Sequence, residues 1–103
     1  MVQYTMERFE KDFPELASKY IELIDAQRSL KGLDAKTRQL ISIAVQTTNR
    51  NLRSVKHHAS MAKKAGATQD EVLGAVVLTL HVCGIGAVLD TLPAALEGFE
   101  GKK

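Results

Sequence analysis

Cysteine is almost missing from this chain: Cys83 is the only one among 103 residues. A lone thiol excludes an internal disulfide and an intrachain Cys-x-x-Cys redox pair, and it fits a reducing cytoplasm. The opening Met-Val-Gln-Tyr-Thr-Met-Glu-Arg lacks the basic start and apolar run of a secretory signal, which points to the same cytoplasmic location. No repeat or low-complexity segment breaks the chain, so 1–103 is expected to form one domain, with N-terminal helices over 1–32 and the remainder over 33–99. At this size a chain buries a limited share of its surface, and self-association is expected.

Acidic residues are scarce in the middle of the chain. From Asp34 to Gly66 the cations are Lys36, Arg38, Arg50, Arg53, Lys56, Lys63 and Lys64, opposed by Asp34 alone, although the net charge is only +2. Arg50, Arg53, His57 and Lys64 recur at helical spacing and would make a basic stripe. No aromatic residues interleave with it and no glycine-rich loop accompanies it, so a solvated helix face accounts for it and nucleic acid is not an expected partner. Metal binding is also not expected. His57 and His58 diverge on a helix, and no His-x-x-x-His or carboxylate pair completes a site. No cofactor is implied.

What is abundant is apolar residues at helical spacing, 45% of the chain being hydrophobic. A short helix over Tyr4 to Lys11 should stop before Phe13-Pro14, and Pro14 suits the first turn of a second helix running to Leu30, with Gly32 as its stop. Leu16, Ala17, Tyr20, Ile21 and Ile24 form that helix's inner face. Asp34 caps a third helix to about Asn49, and a fourth runs from Asn51 to Lys64 with Leu52, Val55, Ala59 and Ala62 inward. Thr68-Gln69-Asp70-Glu71 is a capping box that opens a fifth helix. Its body, Val72 to Cys83, is apolar nearly all round and needs cover on every side. Gly84 and Gly86 loosen the backbone before a last helix to Phe99, which Pro93 either starts or kinks. Val72 to Leu89 is long enough to be weighed as a membrane span, but it contains His81 and two glycines and stands alone among amphipathic helices. An all-α bundle of about six helices, partly covered by another subunit, explains the same residues.

Three stretches together resemble the carboxymuconolactone decarboxylase and alkylhydroperoxidase D superfamily. They are Leu-Asp-Ala-Lys-Thr-Arg-Gln-Leu-Ile-Ser-Ile-Ala from Leu33, the histidine helix from His58 through Gly66 to the capped Thr68 turn, and His-Val-Cys-Gly-Ile-Gly-Ala-Val-Leu-Asp-Thr-Leu from His81. The family often has proline where Gly86 stands. The resemblance implies the family's helical bundle and homo-oligomers, usually trimers or hexamers. In the peroxidase branch a glutamate precedes a Cys-x-x-Cys and a histidine. Aligned through His58, those positions fall on Gln39, Asn51 and Ser54, so only the histidine remains. Peroxide reduction needs a thiolate and a resolving thiol, which an amide and a hydroxyl do not replace.

The decarboxylase branch instead resembles this chain in an arginine and a histidine twenty residues later, here Arg38 and His58. Arginine can hold a carboxylate through two parallel hydrogen bonds, and histidine titrates where proton delivery is efficient. His58 follows Val55 by three residues and precedes Ala62 by four, so it should point inward. Hence His58 and Arg38 are the catalytic candidates, and His81, Gln39, Asn51 and Ser54 are candidates for contact with a small, anionic ligand. Each also has a plain structural role open to it: His58 and His81 as core histidines, Asn51, Ser54 and Gln39 as capping or helix-surface residues, and Arg38 as a solvated or subunit-bridging cation.

Overall fold

In a computed structural model, which describes residues 2–101, the chain forms six α-helices and, among those residues, no strand. They are α1 Met6–Asp12, α2 Pro14–Gln27, α3 Ala35–Thr48, α4 Leu52–Lys64, α5 Gln69–Val77 and α6 Leu80–Glu100. The first two helices make one compact unit and the remaining four another, the division falling after Gly32.

In the first unit the Thr5 side chain accepts from the Arg8 amide at 3.1 Å and starts α1. Pro14 excludes helical backbone from Phe13, whose φ is −136°, and then opens α2. That helix stops at Gln27, short of Leu30. The Ser29 hydroxyl donates to the Ala26 carbonyl at 2.7 Å, and the amides of Ser29 and Leu30 reach back only three residues, which tightens the chain into turns before Gly32. Of the apolar face of α2, only Ala17 is buried. Leu16, Tyr20 and Ile21 stay exposed, because a hairpin of two short helices shields one line of side chains and no more.

The second unit starts from capped helices. Asp34 accepts from the Thr37 amide at 2.7 Å, and Thr68 and Glu71 complete the capping box reciprocally. Glu71 also accepts from Lys36 Nζ at 2.9 Å, tying α5 to α3. Its carboxyl is held below the usual range, first by the Thr68 amide and then by Lys36. Ile43, Val55, Val72, Val76 and Val88 fill the centre with alanines around them. α4 packs mainly against α6 and α3. Gly98 permits the α4–α6 contact, since a Cβ there would collide with the Lys56 carbonyl.

One expected helix is two. α5 ends at Val77, and Thr79 turns the chain: its hydroxyl and amide both donate to the Val76 carbonyl, at 2.7 and 3.1 Å. The amides of Val82 and Cys83 then restart the ladder on the Thr79 carbonyl, both at 2.9 Å. Gly84, φ 87° and ψ 164°, breaks α6 near its start, whereas Gly86 stays helical and Pro93 lies inside the helix without starting a new piece. Val72 to Leu89 is therefore not one span. By length and composition Leu80–Glu100 could cross a membrane, but Ala87, Val88, Thr91, Ala94, Ala95 and Gly98 are buried in the bundle, as expected of a bundle helix. Leu78, Val82, Ile85 and Leu89 remain exposed, so the chain does not itself supply the all-round cover its apolar stretch calls for.

Candidate functional site

The junction between α3 and α4 is built by backbone hydrogen bonds. The Asn51 amide returns to the Gln46 carbonyl and the Arg50 amide to the Thr47 carbonyl, both at 3.0 Å, with Arg50 in the left-handed region at φ 52°. This is the Schellman closure, at whose left-handed position glycine is usual. The same closure ends α4 with Gly66, φ 97°, where the Ala67 amide reaches Ala62 at 2.9 Å and the Gly66 amide reaches Lys63 at 3.0 Å. Holding a side chain in that conformation costs about 1 kcal/mol. Arg50 extends from it to Asp90, Nη1 to carboxylate 3.3 Å, and its Nη2 lies 3.1 Å from where a Cβ on Gly86 would be. It therefore leaves the predicted basic stripe and bridges the junction to α6. Nothing in the spacing announced this link; its signal was the missing glycine in Thr-Asn-Arg-Asn.

Asn51 is the N-cap of α4, its side-chain oxygen accepting from the Ser54 amide at 3.1 Å. Ser54 is half-buried, one turn before His58 and on the same side of the helix. His58 is half-buried too, and its Nδ1 lies 2.8 Å from Gln39 Oε1 on α3. Gln39 is thus not a free helix-surface residue but the partner of the histidine. An amide oxygen only accepts, so the contact requires a proton on Nδ1 and leaves the lone pair on Nε2. Burial pushes the His58 pKa below the ordinary 6.5, and the neighbouring His57, its ring edge-on at 5.4 Å, pushes it the same way. Both effects disfavour the imidazolium form of His58.

Arg38 and His81 are not part of that contact. Arg38 is half-buried on α3, but successive helical residues are about 100° apart, so a Gln39 aimed at α4 carries Arg38 to one side. His81 is not in the core: the turn at Leu78 and Thr79 starts a new helix, and His81 is exposed on its first turn. Cys83 is half-buried and stays within its own turn, its Sγ 3.1 Å from the Thr79 hydroxyl and 3.3 Å from the Thr79 carbonyl. Among the described residues no group of three or more His, Cys, Asp or Glu side chains converges as a metal site would require. A separate open groove of about 330 Å³ runs between α3 and α5, with Thr37, Leu40, Ile41, Ala44, Gly74 and Leu78 in its walls. None of the sequence-predicted site residues lines it.

The profile of the carboxymuconolactone decarboxylase family matches residues 14–97. The chain belongs to that family. A crystal structure of the apo form of a carboxymuconolactone decarboxylase family protein from Legionella pneumophila superposes with a TM-score of 0.80 at 29% identity, covering 93% of this chain and 85% of the other. No curated protein matches the chain. The family match spans α2 to α6 almost to its end and includes both residues of the Gln39–His58 pair.

Proposed function

We propose that this family member is a lyase or related enzyme acting on a small anionic organic molecule, with His58 moving the proton and Arg38 holding the substrate's carboxylate. The observation that carries this reading is the Gln39–His58 contact at 2.8 Å. It orients the imidazole on a half-open helix face where burial disfavours the charged form, and a general base at neutral pH needs both. Loss of carbon dioxide or of an acidic proton leaves charge on the substrate, which a guanidinium on the neighbouring helix offsets. Ser54 offers its hydroxyl on the same face. Asn51 is engaged in capping and His81 is exposed, so neither is assigned a part.

Peroxide reduction is not part of the proposal. Asn51 and Ser54 stand where the thiol pair would be, and Cys83 lies on α6, where it interacts with Thr79 in its own turn.

A homo-oligomer, trimer or hexamer, belongs to the same proposal. Among the described residues, seven of the twelve buried hydrophobic ones are alanines, whereas Leu78, Val82, Ile85 and Leu89 are exposed. A fold that keeps large apolar side chains outside needs cover whenever it is made, and its own copies are always at hand. Light scattering at micromolar concentration should give a mass several times 11.3 kDa; a monomer refutes the assembly.

The decisive experiment is a turnover screen of carboxylate metabolites with the wild type and His58→Gln. Loss of about 10²–10⁴-fold in the variant is expected for a general base. Undiminished turnover removes His58 from the chemistry, and absence of turnover with ligand binding retained favours a non-catalytic binding module. Thiol-dependent peroxide turnover by the wild type would overturn the exclusion of peroxidase chemistry.

A further inference from the structure

We propose that Gln39 is a positioning residue that makes His58 a base with no relay behind it: Nδ1 keeps its proton against the amide oxygen, and Nε2 is the only atom that exchanges one. This deepens the proposed function and rests on His58 being the group that reacts.

The geometry and the chemistry of the amide lead to the same conclusion. Gln39 Oε1 meets Nδ1 at 2.8 Å from a different helix, so the ring is gripped at one nitrogen by a group outside its own backbone. A carboxylate in that place would do two things an amide cannot. It would favour the imidazolium by charge, and it would offer a basic oxygen to which the Nδ1 proton could move. Glutamine does neither, having no charge and no basic site at this pH. The groups around His58 do not supply the missing charge. His57 on the same helix opposes protonation, and among the described residues no carboxylate contributes to the His58 shift. Glu97 on α6 is turned toward Lys56, at 3.6 Å, and Lys56 lies two residues and hence about 200° around α4 from His58.

The proton accounting is simple. A substrate X–H bond breaks, an Nε2–H bond forms, and the electron pair stays on the substrate. His58 becomes an imidazolium whose Nδ1–H still faces Gln39. The same proton must leave from Nε2, to the product or to water, because the other nitrogen has no acceptor that can take it. The reaction class that fits is one opening with proton abstraction from a carbon or oxygen acid and closing with return of that proton. No oxidant or reductant enters.

The test needs no substrate. With ¹⁵N-histidine in the full chain, long-range proton–nitrogen NMR reads the tautomer and the midpoint of His58. We expect the Nδ1–H form near neutral pH and a midpoint below that of an exposed histidine. Gln39→Glu, which is isosteric, should raise the midpoint by about one pH unit or more by adding a charged partner. Gln39→Leu should shift the ring toward the Nε2–H form. A wild type that is already Nε2–H, or a midpoint unmoved in Gln39→Glu, overturns the proposal. Even if Gln39→Leu does not fold, the wild-type tautomer and the glutamate variant decide it. Failure of the proposed function looks different: His58→Gln would keep its turnover while the wild-type tautomer remained as described.

Discussion

The two sides of α4 solve different problems. Toward α6 it is small and closed: Ala59 and Ala62 are fully buried, and Gly98 brings the neighbouring helix onto the Lys56 carbonyl. Toward α3 it is polar and half-open, with His58 held by Gln39 and Ser54 one turn earlier. The closed side is held by dispersion and shape, which tolerate no added atom. On the open side one side-chain hydrogen bond orients His58 and leaves its Nε2 available to a ligand. One helix thus anchors the bundle with one face and presents its candidate chemistry with the other, and the rigidity of the first orients the second.

Adding a single carbon to the closed side should have the largest effect. Gly98→Ala is expected to cost about 3 kcal/mol through overpacking against Lys56 and Ala59, read as a lowered urea midpoint. An unchanged midpoint would mean that α6 is not pressed against α4 as described. On the open side, Gln39→Leu should cost about 1 kcal/mol, the net worth of one part-buried hydrogen bond. If the two variants destabilise equally, the contrast between the faces is lost.

A pH series sharpens the contrast further. The folded His58 binds its proton more weakly than an unfolded histidine, so just below pH 6.5 the unfolded chain carries more protons. The His58 contribution to stability is then complete above 6.5 and declines as pH falls toward the folded midpoint. The lowered carboxyls of Asp34 and Glu71 add a separate loss only at more acidic pH. Denaturation between pH 7.5 and 5.5 should show the His58 slope, and His58→Gln should flatten it; an equal slope in the variant assigns it to another group. The smallest change is expected at Arg50, in the closure between α3 and α4. Arg50→Gly should alter stability by only about 0.5 kcal/mol, because relief of the left-handed backbone offsets loss of an exposed ion pair. Gly66→Arg, the reverse exchange in the same closure, should cost about 1 kcal/mol. A stabilisation of Arg50→Gly as large as the cost of Gly66→Arg would show that the Asp90 contact contributes nothing.

Much of this molecule can be read from local chemistry. Asp34, Asn51 and Thr68 cap the helices their spacing assigns to them, since a cap depends on residues three positions apart. Gly66 ends α4 for the same reason. The division at Leu78 and Thr79 is not legible, because both sides of it are apolar and its only mark is a threonine whose hydroxyl turns back on Val76. His81, just beyond that division, is exposed rather than a core histidine as a consequence. Gln39 was legible as a position in the family pattern but not as a partner, because its contact with His58 spans 19 residues and depends on how α3 packs against α4.

The caps and the absence of a thiol pair follow from residues close together along the chain, where spacing alone dictates which groups can meet, whereas His58 stands out through the family pattern. The grip of Gln39 on His58, the reach of Arg50 to Asp90 and the dependence of the α4–α6 contact on Gly98 join residues far apart in the chain. Those pairings come from the way helices pack, and packing is a property of all the buried side chains at once.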